Sequence, residues 1–169
     1  GVYGSDSLWL EREPTVQEVC DSVDTWDLPQ FDEVVFCGYG EPTERLEDLL
    51  LVAKYIKAKG DIKIRINTNG LADLIWQKQT APSLKGLIDT VSISLNTPNQ
   101  EDYLKVVRPK FGAGSYDAML RFAKDCTAYV PNVVMTIVDK DKTQEEIDRC
   151  YAIAEELGVT LRVRSFIDS

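Results

Sequence analysis

The chain of 169 residues contains no histidine. That absence removes the usual general base near neutral pH, every Ser-His or Cys-His nucleophile pair and the commonest transition-metal ligand. Cysteine is scarce and scattered: Cys20, Cys37, Cys126 and Cys150 lie too far apart in sequence for the close pairs of zinc and redox motifs. Each reads as a buried small hydrophobe in a reducing compartment. No apolar run approaches the roughly 20 residues that span a bilayer, so no membrane partner is expected. Positive charge is in deficit as well. Nineteen Lys and Arg against 28 Asp and Glu give a net charge of -9, which repels a phosphate backbone unless the cations gather on one surface. Nucleic acid is therefore not an expected partner.

What is present is an ordinary globular composition, 44% hydrophobic and 28% charged, with no repeat and no low-complexity linker. A chain of this length buries a core without staples, and residues 1–169 read as one continuous domain. It opens on Gly1 with no Met, in a loop-like stretch through Ser7, and so reads as an excised piece or a processed start.

Apolar runs alternate with helical patterns, the signature of βα units around a parallel sheet. Strands are expected at 33–37, 62–68, 90–95, 132–138 and 160–165. Helices are expected at 16–25 after a Thr15 cap, 46–58, 116–129 and 145–157, with a short one near 101–106. Thr143 with Glu146 forms a capping box, and Gly158 stops the last helix. Residues 75–86 and 107–114 are the least regular, and the loop of Arg108, Pro109, Lys110 and Phe111 is either a lid or a connection.

A parallel sheet covered on both faces has nearly continuous Val, Ile and Leu in its strands. Here Ile62, Ile64 and Ile66 alternate with Lys63, Arg65 and Asn67. Val91, Ile93 and Leu95 alternate with Ser92, Ser94 and Asn96, and Leu161 and Val163 with Arg162 and Arg164. One face is polar. Such a face either lies in water or lines the interior of a barrel or partial barrel, and the helical crossovers favour the barrel. The expected fold is α/β, a partial (β/α) barrel of about five parallel strands with outer helices, enclosing a polar and partly anionic ligand.

Ligands of parallel α/β sheets sit beyond the carboxyl ends of the strands. The first such end, Cys37-Gly38-Tyr39-Gly40-Glu41-Pro42-Thr43, allows close backbone approach and places the Glu41 charge where a ligand ammonium would fit, or is merely a tight turn. The second, Arg65-Ile66-Asn67-Thr68-Asn69-Gly70, and the third, Ser92-Ile93-Ser94-Leu95-Asn96, offer amides and hydroxyls suited to a ribose or a carboxylate. Asn69 and Asn96 also suit a helix cap. A phosphate site is disfavoured, because Glu41 and Glu44 place acid where phosphate would bind.

These three ends, Val34 to Pro42, Arg65 to Gly70 and Val91 to Asn96, occur in this order and spacing in radical SAM enzymes, and the chain resembles that superfamily over nearly its whole length. It is most similar to the TatD-linked radical SAM proteins, which share the Leu8-Trp9-Leu10 and Glu13-Pro14-Thr15 stretches, the Arg108-Pro109 loop and the Val163-Arg164 ending. The resemblance implies a partial (β/α)6 barrel, a [4Fe-4S] cluster and S-adenosylmethionine (SAM), cleaved reductively to methionine and a 5'-deoxyadenosyl radical that abstracts hydrogen from an unknown substrate. It also implies a cytoplasmic setting, and a TatD-like hydrolase partner by association.

Carried over by position, Gly38, Gly40, Glu41 and Pro42 match the motif whose backbone receives the methionyl amino group. Ser94 and Asn96 match ribose or carboxylate contacts, Asn67, Thr68 and Asn69 match the polar end of the third strand, and Thr136 matches a polar position on the fifth. Arg65, Arg162 and Arg164 would complement the SAM carboxylate or an acidic substrate. The family's CxxxCxxC loop is absent, and four scattered cysteines do not reproduce it, so no cluster and no metal site are expected within these residues. The loop and its strand are expected before Gly1. The chain then reads as a truncated core, inactive by itself, whose strand 33–37 is an unprotected edge that drives self-association. The competing expectation is a non-catalytic SAM- or nucleoside-binding module that serves as a partner surface.

Overall fold

The computed structural model describes residues 7–9, 14–38 and 40–166. Gly1 to Ser5, Leu10, Glu13 and Tyr39, all singled out in the sequence, lie outside the described residues. Six parallel strands form one sheet: β1 (Ser7–Trp9), β2 (Glu33–Gly38), β3 (Lys63–Thr68), β4 (Thr90–Ser94), β5 (Asn132–Val138) and β6 (Thr160–Arg164). Their order in the sheet is their order in the chain. A doubly wound sheet reverses direction at a switch point, whereas an unreversed order carries every same-handed crossover to one side. The other side is left without helical cover, which is the physical origin of the polar face.

The helices are α1 (Val16–Asp24), α2 (Leu46–Lys59), α3 (Ala72–Trp76), α4 (Gln100–Val107), α5 (Ser115–Cys126) and α6 (Gln144–Leu157). Thr15 caps α1 and Thr143 caps α6, each through a complete capping box with Glu18 and Glu146. Asn99 caps α4 by accepting from the Asp102 amide at 2.8 Å. The expected helices are therefore present, each within one to three residues at its ends. The sequence reading did not resolve α3, a five-residue helix with no side-chain cap.

One core lies between the helices and the apolar sheet face. Phe36, Ile64, Ile66, Ile93 and Met135 meet Leu49, Val52, Ile56, Met119 and Phe122, all at 0 or 1% exposure. Each such side chain contributes about 1.5–3 kcal/mol through removal from water. Cys20, Cys126 and Cys150 are buried in this core as free thiols, and burial raises the pKa of all three. Cys37, likewise outside any disulfide, is only half-buried because it falls on the opposite face. Asp89 fastens the lower rim, accepting from Lys57 Nζ at 2.7 Å and from the Ile64 amide at 2.8 Å.

The structure corrects one expectation directly. The strand at 33–37 is not an unprotected edge: β1 pairs with it in parallel, with Ser7 beside Val35 and Trp9 beside Gly38. The open-edge ground for self-association is thereby removed. Five strands were expected and a short sixth is present, missed because three residues are too few to show alternation.

Candidate functional site

The outward positions of β2 to β6 form a concave polar face. Val35, Thr90 and Ser92 in its middle are only 9% exposed, while Lys63, Asn67, Asn132, Thr160, Arg162 and Arg164 around them are exposed. The register aligns Ser94 with Thr136 and Thr136 with Arg162, so a hydroxyl, a second hydroxyl and a guanidinium stand side by side on three strands. One step lower, Asn67 stands beside Ser92. The side chains of Asn67, Ser94 and Thr136 make no hydrogen bond within the chain among the described residues. Polar groups left without internal partners in a concavity are what a polar ligand needs.

The first strand end is built around Glu41. Its carboxylate accepts from the Thr43 amide at 3.1 Å, the Thr43 hydroxyl at 2.6 Å, the Thr68 hydroxyl at 2.5 Å and the Asn69 amide at 2.8 Å. Four hydrogen bonds to one ionised group make a strong local clamp. The side chain expected to face a ligand ammonium is instead turned into the protein, where it locks the end of β2 to the end of β3. Trp76 Nε1 donates to the Thr43 carbonyl at 2.7 Å and secures the same turn from α3. Gly40 holds φ +86 inside it, a conformation L side chains rarely adopt. The Glu41 charge is thus engaged within the chain, on a half-buried side chain. Thr43, Thr68 and Trp76 were not assigned these roles from sequence. Thr68 carried a signal, because it occupies the core-facing position after Ile62, Ile64 and Ile66.

The second end divides its polar residues between two tasks. Asn67 points to the open face, whereas the Asn69 side chain accepts from the Leu71 amide at 3.0 Å and shapes the turn. Gly70, at φ +79, leaves no room for a side chain: a Cβ there would lie 2.8 Å from Met119 Cγ and 2.9 Å from Ile93 Cγ2. At the third end the Leu95 and Asn96 amides both donate to the Thr136 carbonyl, at 2.9 and 3.4 Å. Two donors on one acceptor bend the chain as a bulge does, with Asn96 at φ +68. Asn96, Val138, Lys142 and Phe166 line a cleft of about 710 Å³ beside this end. Below it, Tyr116 donates its hydroxyl to the Thr97 carbonyl at 3.1 Å, and burial pushes the phenol upward, so it stays protonated.

The three arginines share the polar face but stand on two separate strands. Arg65 pairs with Glu33 at 3.1 Å on β2, while Arg162 and Arg164 lie three strands away on β6 without an ion pair among the described residues.

The residues present fit one of the implied groups and not the other. Asn67, Ser94, Asn96 and Thr136, with the backbone around Gly40, suit SAM, a ligand with ribose hydroxyls, an amine and a carboxylate. A [4Fe-4S] cluster does not fit. All four cysteines are described, three are buried apart in the core, and no group of three or more His, Cys, Asp or Glu is placed to hold a metal among the described residues.

Among solved structures, the chain is similar to Streptococcus suis SuiB bound to its precursor peptide SuiA, at 18% identity and TM-score 0.69, over 92% of this chain and 34% of that one. SuiB bound to S-adenosylmethionine matches at 16% identity and TM-score 0.68, over 96% and 38%. A radical SAM methyltransferase from Sphaerobacter thermophilus matches at 17% identity and TM-score 0.58, over 92% and 59%. These likenesses show the partial-barrel fold, and the chain spans about a third of the two SuiB chains and 59% of the methyltransferase. No curated protein matches the chain. Among the described residues no helix is long and apolar enough to cross a membrane. The sequence itself matches the Radical SAM superfamily over residues 3–153, and the chain accordingly belongs to that superfamily.

Proposed function

We propose that this chain is the SAM-binding part of a radical SAM enzyme. The observation that carries the reading is the group of internally unpartnered side chains, Asn67, Ser94 and Thr136, on the concave face beside the braced Gly40 turn. Glu41 and Trp76 hold that turn, so its backbone presents a fixed cradle for the amino acid end of the ligand. Ser94 and Thr136 offer paired hydroxyls, and Asn96 closes the upper edge. Bound SAM supplies radical chemistry when a reduced [4Fe-4S] cluster is beside it. No cysteine here is placed for that cluster, so in this reading its ligands come from polypeptide outside these 169 residues, and the chain alone does not cleave SAM. The resemblance of Leu8-Trp9-Leu10 and Arg108-Pro109 to TatD-linked proteins supports that subfamily, a cytoplasmic setting and a TatD-like hydrolase partner, which co-purification would test.

Isothermal titration with SAM tests the binding step: Ser94→Ala and Thr136→Val should each weaken affinity about fivefold to tenfold without unfolding the protein. Anaerobic iron-sulfur reconstitution then compares this chain with a polypeptide extended by a CxxxCxxC segment. 5'-deoxyadenosine from the extended protein alone supports the enzyme. A second reading, a non-catalytic SAM- or nucleoside-binding module, is favoured by the scattered cysteines, and it gains if the extended protein binds SAM yet yields no 5'-deoxyadenosine.

A further inference from the structure

The open face reverses the charge of the chain that bears it. The sequence carries a net charge of -9, yet the outward positions of β2 to β6 hold Lys63, Arg65, Arg162 and Arg164 against the single carboxylate of Glu33. Glu33 already engages Arg65. Off this face Arg45 is matched with Asp48 and Arg149 with Glu145, whereas Arg108 and Arg121 stand singly, without an ion pair among the described residues. Arg162 and Arg164 are exposed and have no such partner among the described residues.

Their spacing is specific. Two residues apart on one strand, they stand about 6.6 Å from each other along the sheet. An extended peptide presents its alternate side chains at the same interval, so a segment lying along β6 brings two carboxylates into register with two guanidinium groups. From Arg162 the row continues through Thr136 to Ser94, two strand spacings or about 10 Å away, which connects this end of the face to the proposed cofactor position.

We infer that Arg162 and Arg164 form the docking site for an acidic peptide segment with carboxylates at alternate positions, the substrate of the radical SAM core. This inference rests on the SAM-binding reading only for the word substrate. The charge complementarity stands without it.

The test uses the full protein and a fluorescently labelled Gly-Glu-Gly-Glu-Gly peptide, read by anisotropy, with SAM binding followed in parallel by equilibrium dialysis. The peptide should bind, its Gln counterpart should not, and a peptide with adjacent glutamates should bind more weakly. Arg162→Gln and Arg164→Gln should each weaken peptide binding about tenfold, leave SAM affinity unchanged and leave the thermal midpoint unchanged. Arg121→Gln, on an exposed position of α5, should change nothing. Equal binding of the Gln peptide, or full binding by both arginine variants, overturns the proposal. So does a loss of SAM affinity in those variants, which would assign the guanidinium groups to the SAM carboxylate, or competition by free glutarate as effective as the peptide, which would make the ligand a small diacid. Peptide binding without SAM binding in the unmodified protein would sink the cofactor reading and leave the acidic site standing.

Discussion

The two faces of the same strands are made of alternate residues and behave as two different materials. Along β3, Ile64 and Ile66 are buried at 0 and 1% exposure, while Lys63 before them and Asn67 after them are exposed and Arg65 between them is half-buried. On the closed face every neighbour is fixed by packing, so shape decides which residue is tolerated. On the open face the hydrogen-bonding groups of Asn67, Ser94 and Thr136 remain without internal partners, so chemistry decides. One strand thus carries stability and ligand recognition a single residue apart.

The sharpest way to break this comparison is to truncate adjacent residues. Ile66→Ala should cost about 2–5 kcal/mol in denaturant unfolding, through lost burial and the cavity left behind. Asn67→Ala should change stability by less than about 0.5 kcal/mol while weakening SAM binding. Comparable unfolding costs for the two would show that the open face is covered in solution. Next in size is Glu41, which stands where the faces meet. Glu41→Gln keeps its shape but removes the charge from four hydrogen bonds, and it should cost about 1–3 kcal/mol. Gln at this position also cannot accept all of them as strongly, so SAM affinity should fall together with stability, unlike in Asn67→Ala. A drop in affinity alone would mean that the carboxylate faces the ligand after all.

The smallest expected effect lies outside both faces. Hydrogen bonding from Lys59, and then from Tyr55, holds the Asp24 carboxyl below its ordinary value of 3.8. A carboxyl depressed in the folded state stabilises above its unfolded value, and that stabilisation is lost as pH falls through the lower folded value. Asp24→Asn should therefore be slightly less stable than the parent protein at neutral pH, and the difference should fade on acidification, with the two proteins converging below about pH 4. Urea midpoints measured across that range check it, and divergence instead of convergence on acidification would exclude the contact as the cause.

Much of the scaffold was legible in the sequence because it is encoded locally. The alternation of 132–138 gave β5 to the residue, and the Thr143 to Glu146 capping box gave the start of α6. The strand ends that gather at the site were readable for the same reason. What stayed hidden was long-range. Glu41 meets Thr68 and Asn69 across 27 and 28 residues, and Arg65 meets Glu33 across 32, so no local pattern announces that the first charge faces inward and the second is already matched. The separation of Arg65 from Arg162 and Arg164 was equally hidden, because it follows from the strand order, which places β3 and β6 about 14 Å apart. Short elements failed differently: β1 and α3 are too brief to repeat a period.

The backbone of the inner strands is saturated edgewise while their polar face is free, and that separation governs which experiments can see a ligand arrive. Strand amides in β3, β4 and β5 point along the plane to neighbouring strands, and their protection from hydrogen exchange is set by the ladder and the core beneath it. A molecule settling on the side chains above adds little to amides already protected. Occupancy will be recorded instead at the turns after β2 and β4, around Gly40 and Asn96, where exchange is fast enough to be slowed, so the rim of the sheet is the place to listen for binding at its centre.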